Sequence, residues 1–175
     1  MKLKYKNLTD NMHSKSKSFF PQPKKEDWGS WFARWKINRF PAFKRTGGKV
    51  TYVHPEFMEV HMKLPLNKNT VNYNGTLFGG SIYSAVEWIP PIMYMQCLGP
   101  QYIAWNKESR IQFIKPGSET LYSKYTVSTN DLTRIRTKLI YDDKIEISCK
   151  MNLMDQYKTI YAMVNLLIQV RNRNE

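Results

Sequence analysis

One carboxylate stands apart in this sequence. Glu87 is the only Asp or Glu between Glu59 and Glu108, and its neighbours are Ala85, Val86, Trp88 and Ile89. Burial among such residues disfavours the charged form and moves a carboxyl pKa up toward neutrality, where a general base works best. The same group could attack as a nucleophile, or pair with Lys107 or an arginine and do no chemistry. The other reactive side chains offer less. His13 lies in a polar N-terminal stretch, His54 precedes Pro55, and alternation places His61 on a solvent face. Cys97 and Cys149 are too few for a disulfide framework, and Cys149 falls on the apolar side of its strand. No Cys/His cluster has metal-ligand spacing, so neither a metal nor a cofactor is expected.

The elements that must position Glu87 follow from local pattern. Gly75 and Gly79-Gly80 lead into an apolar run read as a central helix from Phe78 or Gly79 to Gly99-Pro100. Pro90 and Pro91 remove two donors and predict a kink one turn after Glu87. Before it, Lys49–His54 and Phe57–Leu64 read as strands. After it, Tyr102–Lys115 is a long strand whose buried face carries Ile103, Trp105, Lys107, Ser109, Ile111 and Phe113. Pro116-Gly117 turns this strand into a hairpin with Glu119–Ser128. A basic helix capped by Thr129 or Asn130 follows, then the alternating strand 145–153. Lys158–Val170, largely apolar on both faces, suits a central position or an interface. Near the start, Asp27 caps a helix on which Trp28, Trp31, Phe32 and Trp35 share one face. That face is expected to pack on the domain or a partner subunit; a basic, Trp-rich helix could instead rest on a membrane surface.

The chain has 175 residues, with 27 Lys and Arg against 14 Asp and Glu, a net charge of +13. The excess predicts attraction to polyanions, coenzyme A among them. The expected organisation is a flexible basic arm over 1–26 and one domain over 27–175. Within that domain, 27–41 is an amphipathic helix and 45–172 the core. The basic N-terminus lacks an apolar core segment, so no secretory signal is expected, and no run is long enough to span a bilayer. The expected location is cytoplasmic.

Asn72, Gly75, Thr76, Phe78, Gly79, Gly80 and then Glu87, seven residues on, resemble a motif of the hotdog-fold acyl-CoA thioesterases. The nearest branch is that related to phenylacetyl-CoA thioesterase. The run LGPQYIAWNKESRIQFIKPG is similar to the next strand of an uncharacterised branch in which Phe replaces the motif His. The resemblance covers roughly residues 45–172. It implies an α+β fold, an antiparallel sheet wrapped around one long central helix, here with an extra N-terminal helix. It also implies an active site at the interface of a homodimer or dimer of dimers. Glu87 would be general base or nucleophile, the N–H groups of Gly79 and Gly80 would polarise the thioester carbonyl, and Asn72 would position, often from the other subunit. Helix N-termini do offer unpaired donors at the positive end of the dipole.

The expected activity is hydrolysis of an acyl-CoA thioester to free acid and CoA. Phe78, Trp88, Lys107, Ser109 and Arg110 are the substrate-binding candidates, with Lys107 first for the nucleotide end because it points inward. Coenzyme A enters only as part of the substrate. A non-catalytic acyl-binding protein is the alternative. Nucleic-acid binding rests on charge and aromatics alone, and no nucleic-acid partner is expected.

Overall fold

A computed structural model describes residues 25–173. The expected basic arm lies, up to residue 24, outside the described residues. Glu26, assigned to that arm, is tied into the fold. Its Oε1 accepts from Val53 N at 3.0 Å, and Arg34 holds its carboxylate at 2.7 and 2.9 Å.

The first helix, α1 (Trp28–Arg39), opens as expected, with Asp27 Oδ1 accepting from Ser30 N at 2.6 Å. Its aromatic face does not pack on the domain. Trp28, Trp31, Phe32 and Trp35 are 86, 43, 51 and 42% exposed. The side turned inward carries Ser30, Arg34, Ile37 and Asn38 instead. The reason is the neighbour. Strand β1 (Lys49–Val53) is an edge strand with backbone groups open on its outer side, and a helix that covers them and keeps water out must meet them with polar side chains. Asn38 donates to Val50 O at 2.9 Å and accepts from Val50 N at 2.8 Å, while Glu26 takes Val53 N. So α1 seals the edge with its polar side and leaves its aromatics outside. A short helix α2 (Pro41–Thr46) follows, ending at Gly47 with φ 81°.

The remaining elements are β2 (Glu59–Leu64), α3 (Gly79–Ser84), α4 (Ile89–Leu98), β3 (Tyr102–Phe113), β4 (Leu121–Thr126), α5 (Thr129–Tyr141), β5 (Lys144–Met154) and β6 (Ile160–Asn172). The six strands form one antiparallel sheet in the order β1-β2-β4-β5-β6-β3. Its inner face, including Met62, Leu121, Met151 and Val164, packs on Ile82, Val86, Ile89 and Met93 of the central helical segment. This is the hotdog arrangement, a curved antiparallel sheet around a central helical segment. Among the described residues, no helix is long and apolar enough to cross a membrane.

Several local expectations are corrected. Strands β3 and β4 do not form a hairpin. β3 pairs with β6 from Tyr102↔Asn172 to Phe113↔Ala162, and β4 lies between β2 and β5. The apolar stripe Ala162, Val164, Leu166, Ile168 and Val170 offers β3 a longer match than β4 could. β6 lies inside the sheet between β5 and β3, one of the two placements expected of it. His61 is buried, because β2 is covered on both faces. Its Nε2 lies 2.7 Å from Glu59 Oε1, and Tyr52 packs its ring at 5.0 Å. The cap of α5 is Ser128, one residue before the expected Thr129, with its side chain accepting from Asp131 N.

Candidate active site

The central segment breaks at Glu87 itself, between α3 and α4, rather than one turn beyond it. Prolines disrupt the ladder toward their N-terminal side, because each removes the donor for the carbonyl four residues back. Pro90 deprives Val86 O, which accepts instead from Ile89 N at 3.1 Å. The Trp88 indole takes Ala85 O at 3.1 Å. Pro91 deprives Glu87 O, and here Asn106 of β3 intervenes. Its Nδ2 donates to Glu87 O at 2.7 Å and to Glu87 Oε2 at 2.6 Å. One amide thus completes the broken ladder and aims the carboxylate.

Asn106 reaches inward because β3 carries a bulge. The register with β6 shifts between Asn106 and Glu108, so Lys107 is the extra residue. Before the bulge Ala104 and Asn106 face the core; after it Ser109 and Ile111 do. The expected buried face is therefore right only beyond Lys107. Trp105 and Lys107 point outward. Trp105 meets Arg171 with the guanidinium 5.5 Å from its ring centre, and Lys107 pairs with Glu146, not with Glu87.

Glu87 is half-buried. Desolvation pushes its pKa above the ordinary carboxylate value, against the opposing bond from Asn106. It lines an apolar cavity of about 650 Å³ with Ile37, Phe40, Phe43, Trp88 and Ile92, to which Lys36 adds one cation. Phe43 packs edge-on against Trp88 with ring centres 4.6 Å apart. Asn106 Oδ1 is buried and has no hydrogen-bond partner among the described residues.

The rest of the motif borders a different cleft in the single chain. Asn72, Gly79 and Ile82 line a volume of about 390 Å³ with Phe113, Lys115 and Gly117. Asn72 organises its own loop: Oδ1 accepts from Asn74 N at 2.9 Å and Thr76 N at 3.1 Å, and Nδ2 donates to Thr76 Oγ1 at 2.9 Å. Phe78 is exposed and folds back over the helix start; a Cβ on Gly80 would lie 2.4 Å from its ring. No side chain caps α3.

The structure therefore brings together Glu87 and Trp88, and separately Asn72 and Gly79, with Phe78 and Gly80 flanking the second pair. Lys107 lies outside both clefts. Ser109 and Arg110 are exposed on β3 and border a groove of about 490 Å³ over β5 and β6. Asn106 escaped the sequence reading. Its only signal was Pro91, which leaves one carbonyl in need of a donor. Among the described residues, no group of three His, Cys, Asp or Glu could hold a metal.

A family model described as a domain of unknown function, DUF4442, matches residues 29–170. No curated protein matches. Among solved structures, this chain is similar to a Pseudomonas aeruginosa protein of unknown function named "Probable Thioesterase". The TM-score is 0.74 at 19% identity, over 82% of this chain and 95% of that one. It is similar to a thioesterase from Haemophilus influenzae, with TM-score 0.61 at 12% identity over 88% and 98%. It is also similar to the E. coli PaaI protein of the phenylacetic acid degradation operon, with TM-score 0.56 at 13% identity over 83% and 91%.

Proposed function

This chain belongs to the DUF4442 family, and we propose that it uses its hotdog scaffold to hydrolyse an acyl-CoA thioester, with Glu87 as general base. The observation that carries this reading is the tethered carboxylate. Glu87 lines an apolar cavity, its pKa is raised by burial, and Asn106 fixes one oxygen while leaving the other to act. The free oxygen takes a proton from water, and the oxygen of that water attacks the thioester carbonyl. The tetrahedral oxyanion collapses, expels the thiolate, and the proton on Glu87 passes to the sulfur.

The oxyanion donors in this reading are the N–H groups of Gly79 and Gly80. In one chain Gly79 borders the Asn72 cleft, apart from Glu87. We therefore place the reaction at a dimer interface, where the Asn72–Gly79 cleft of one copy meets the Glu87 cavity of the other. Exposed Phe78, Phe113 and Ile114 around that cleft, and the edge strand β3, without an outer strand partner among the described residues, support a second copy there. Lys36 replaces Lys107 as the cation nearest the cavity.

Turnover of short, medium, long and aromatic acyl-CoAs should be followed by thiol release. Glu87→Gln keeps the shape and the bond from Asn106, yet should lower kcat by about a hundredfold or more. No turnover by wild type on any of these, or equal turnover by the variant, overturns the reading. Apolar lining also suits the second reading, an acyl-binding protein without turnover. A fatty acyl ligand retained through purification, with no thiol released, would favour it.

A further inference from the structure

The aromatic face of α1 has no cover among the described residues. Trp28, Trp31, Phe32 and Trp35 run along one side of the helix, Phe40 follows as its C-cap, and all five are exposed. Single exposed aromatics are ordinary, but a contiguous row of indoles is not. The helix cannot turn to bury them, since its other side is occupied in sealing β1 through Asn38 and the Arg34–Glu26 pair.

The row is rimmed with cations. Lys36 Nζ lies 5.4 Å from the Phe32 ring centre, and the Arg39 guanidinium 5.0 Å from that of Trp35. Lys44 and Arg45 of α2, the helix that follows directly, are exposed. Of the two acids at the N-terminal end, Asp27 caps the helix and Glu26 is held by Arg34. The chain leading into α1 adds Lys2, Lys4, Lys6, Lys15, Lys17, Lys24 and Lys25 against Asp10. A second copy seated face to face on this row would set like charges against each other. Indoles interleaved with cations match a different surface, the headgroup layer of a bilayer. There the ring bodies enter the acyl boundary and the charged tips stay with lipid phosphates.

We propose that α1 and the start of α2 dock this protein on an anionic phospholipid bilayer. Trp28, Trp31, Phe32 and Trp35 lie at headgroup depth, and Lys36, Arg39, Lys44 and Arg45 face the phosphates. Lys36 and Phe40 also line the Glu87 cavity, so docking sets that cavity beside the membrane. The docking does not depend on hydrolysis and is read without it.

The full chain should be sedimented with vesicles of phosphatidylcholine alone and with added phosphatidylserine, at low and raised salt. Wild type should bind the serine-containing vesicles, lose binding as salt rises, and show tryptophan quenching by brominated lipid. Trp31→Ser/Trp35→Ser and Arg39→Glu/Arg45→Glu should each weaken binding about tenfold or more, with circular dichroism unchanged. Lys144→Glu/Lys150→Glu, the same charge change on β5, should not. Absence of binding by folded wild type overturns the proposal, as does binding without quenching. So does an equal loss from the β5 variant, which would mean diffuse charge attraction. A wild-type dimer that the tryptophan variant converts to monomer, without vesicle binding, assigns the face to a second copy. Retention on a single-stranded oligonucleotide but not on vesicles assigns it to nucleic acid. Either result also overturns the proposal.

Discussion

Asn106 and Glu87 act as a unit, and their coupling has a sign that pH can read. Burial raises the Glu87 pKa, and the amide bond from Asn106 lowers it in opposition. Removing that bond leaves burial alone, so Asn106→Ala should raise the pKa further. A general base works when deprotonated, so activity in wild type rises with pH through the Glu87 pKa. The acidic limb of the kcat/KM profile should move to higher pH in Asn106→Ala. A limb that stays in place would mean that another group titrates there. The same substitution orphans Glu87 O, which Pro91 cannot serve, and should cost about 1–3 kcal/mol in denaturant unfolding. The linkage runs the other way for stability. A carboxyl whose folded pKa is raised favours the folded state at low pH and loses that contribution as pH rises through the folded pKa. Glu87→Gln removes this loss, so its stability should hold level or increase across that window. The cysteines are quiet by the same physics: burial pushes the Cys97 thiol up to about 11 and raises Cys149 as well.

At the scale of elements, two junctions hold the site in place. The first is the turn from α2 into β1. Gly47 has φ 81°, and a Cβ there would lie 2.1 Å from Thr70 Cγ2. Thr70 cannot yield easily: it is buried, and its hydroxyl donates to Pro65 O at 2.6 Å and accepts from Asn67 N at 3.0 Å. Gly47→Ala should therefore cost about 1–3 kcal/mol, measured as a shift in the denaturation midpoint at unchanged slope. It should also disturb the wall of the Glu87 cavity that α2 supplies. The second junction lies between β4 and β5, where only Tyr122↔Met154 pairs the strands. Side chains bridge what the ladder leaves open. Tyr125 Oη donates to Cys149 Sγ at 2.8 Å and lies 3.1 Å from Tyr94 Oη on α4. The central helix thus braces the sheet at its weakest seam.

For the whole molecule, the two sheet edges are treated unequally. β1 is closed by α1, whereas β3 has no strand partner on its outer side among the described residues. β3 also leaves Ser109 and Phe113 exposed although both lie on its core-facing side. If a second copy covers that edge, Phe113→Asp should place a charge in the interface and favour the monomer in sedimentation velocity. A variant that remains dimeric would put the interface elsewhere. The charge is equally lopsided. Along the sequence, residues 1–50 carry 13 Lys and Arg against 3 Asp and Glu, and they lead into and include the helices of the proposed bilayer contact.

The alternation of residues 145–153, the glycine-rich entry to α3 and the lone acid were legible because each depends on neighbours in sequence. Strand period, helix capping and an unbalanced charge are local properties; they mark the strands and single out Glu87, whose role is the proposal above, while the hotdog fold came from the resemblance of the Asn72–Glu87 motif. Other features are settled only by contacts distant in sequence. A single bulge at Lys107 exchanged the faces of β3, turning Lys107 outward and Asn106 inward, and no residue type in that run demands a bulge. β3 chose β6 over β4 because the longer apolar stripe lay elsewhere in the chain. The aromatic row of α1 obeyed helical spacing yet stayed outside, because the unpaired backbone of β1 needed polar partners more than the core needed indoles. Periodicity says which residues share a face; only packing decides what that face meets.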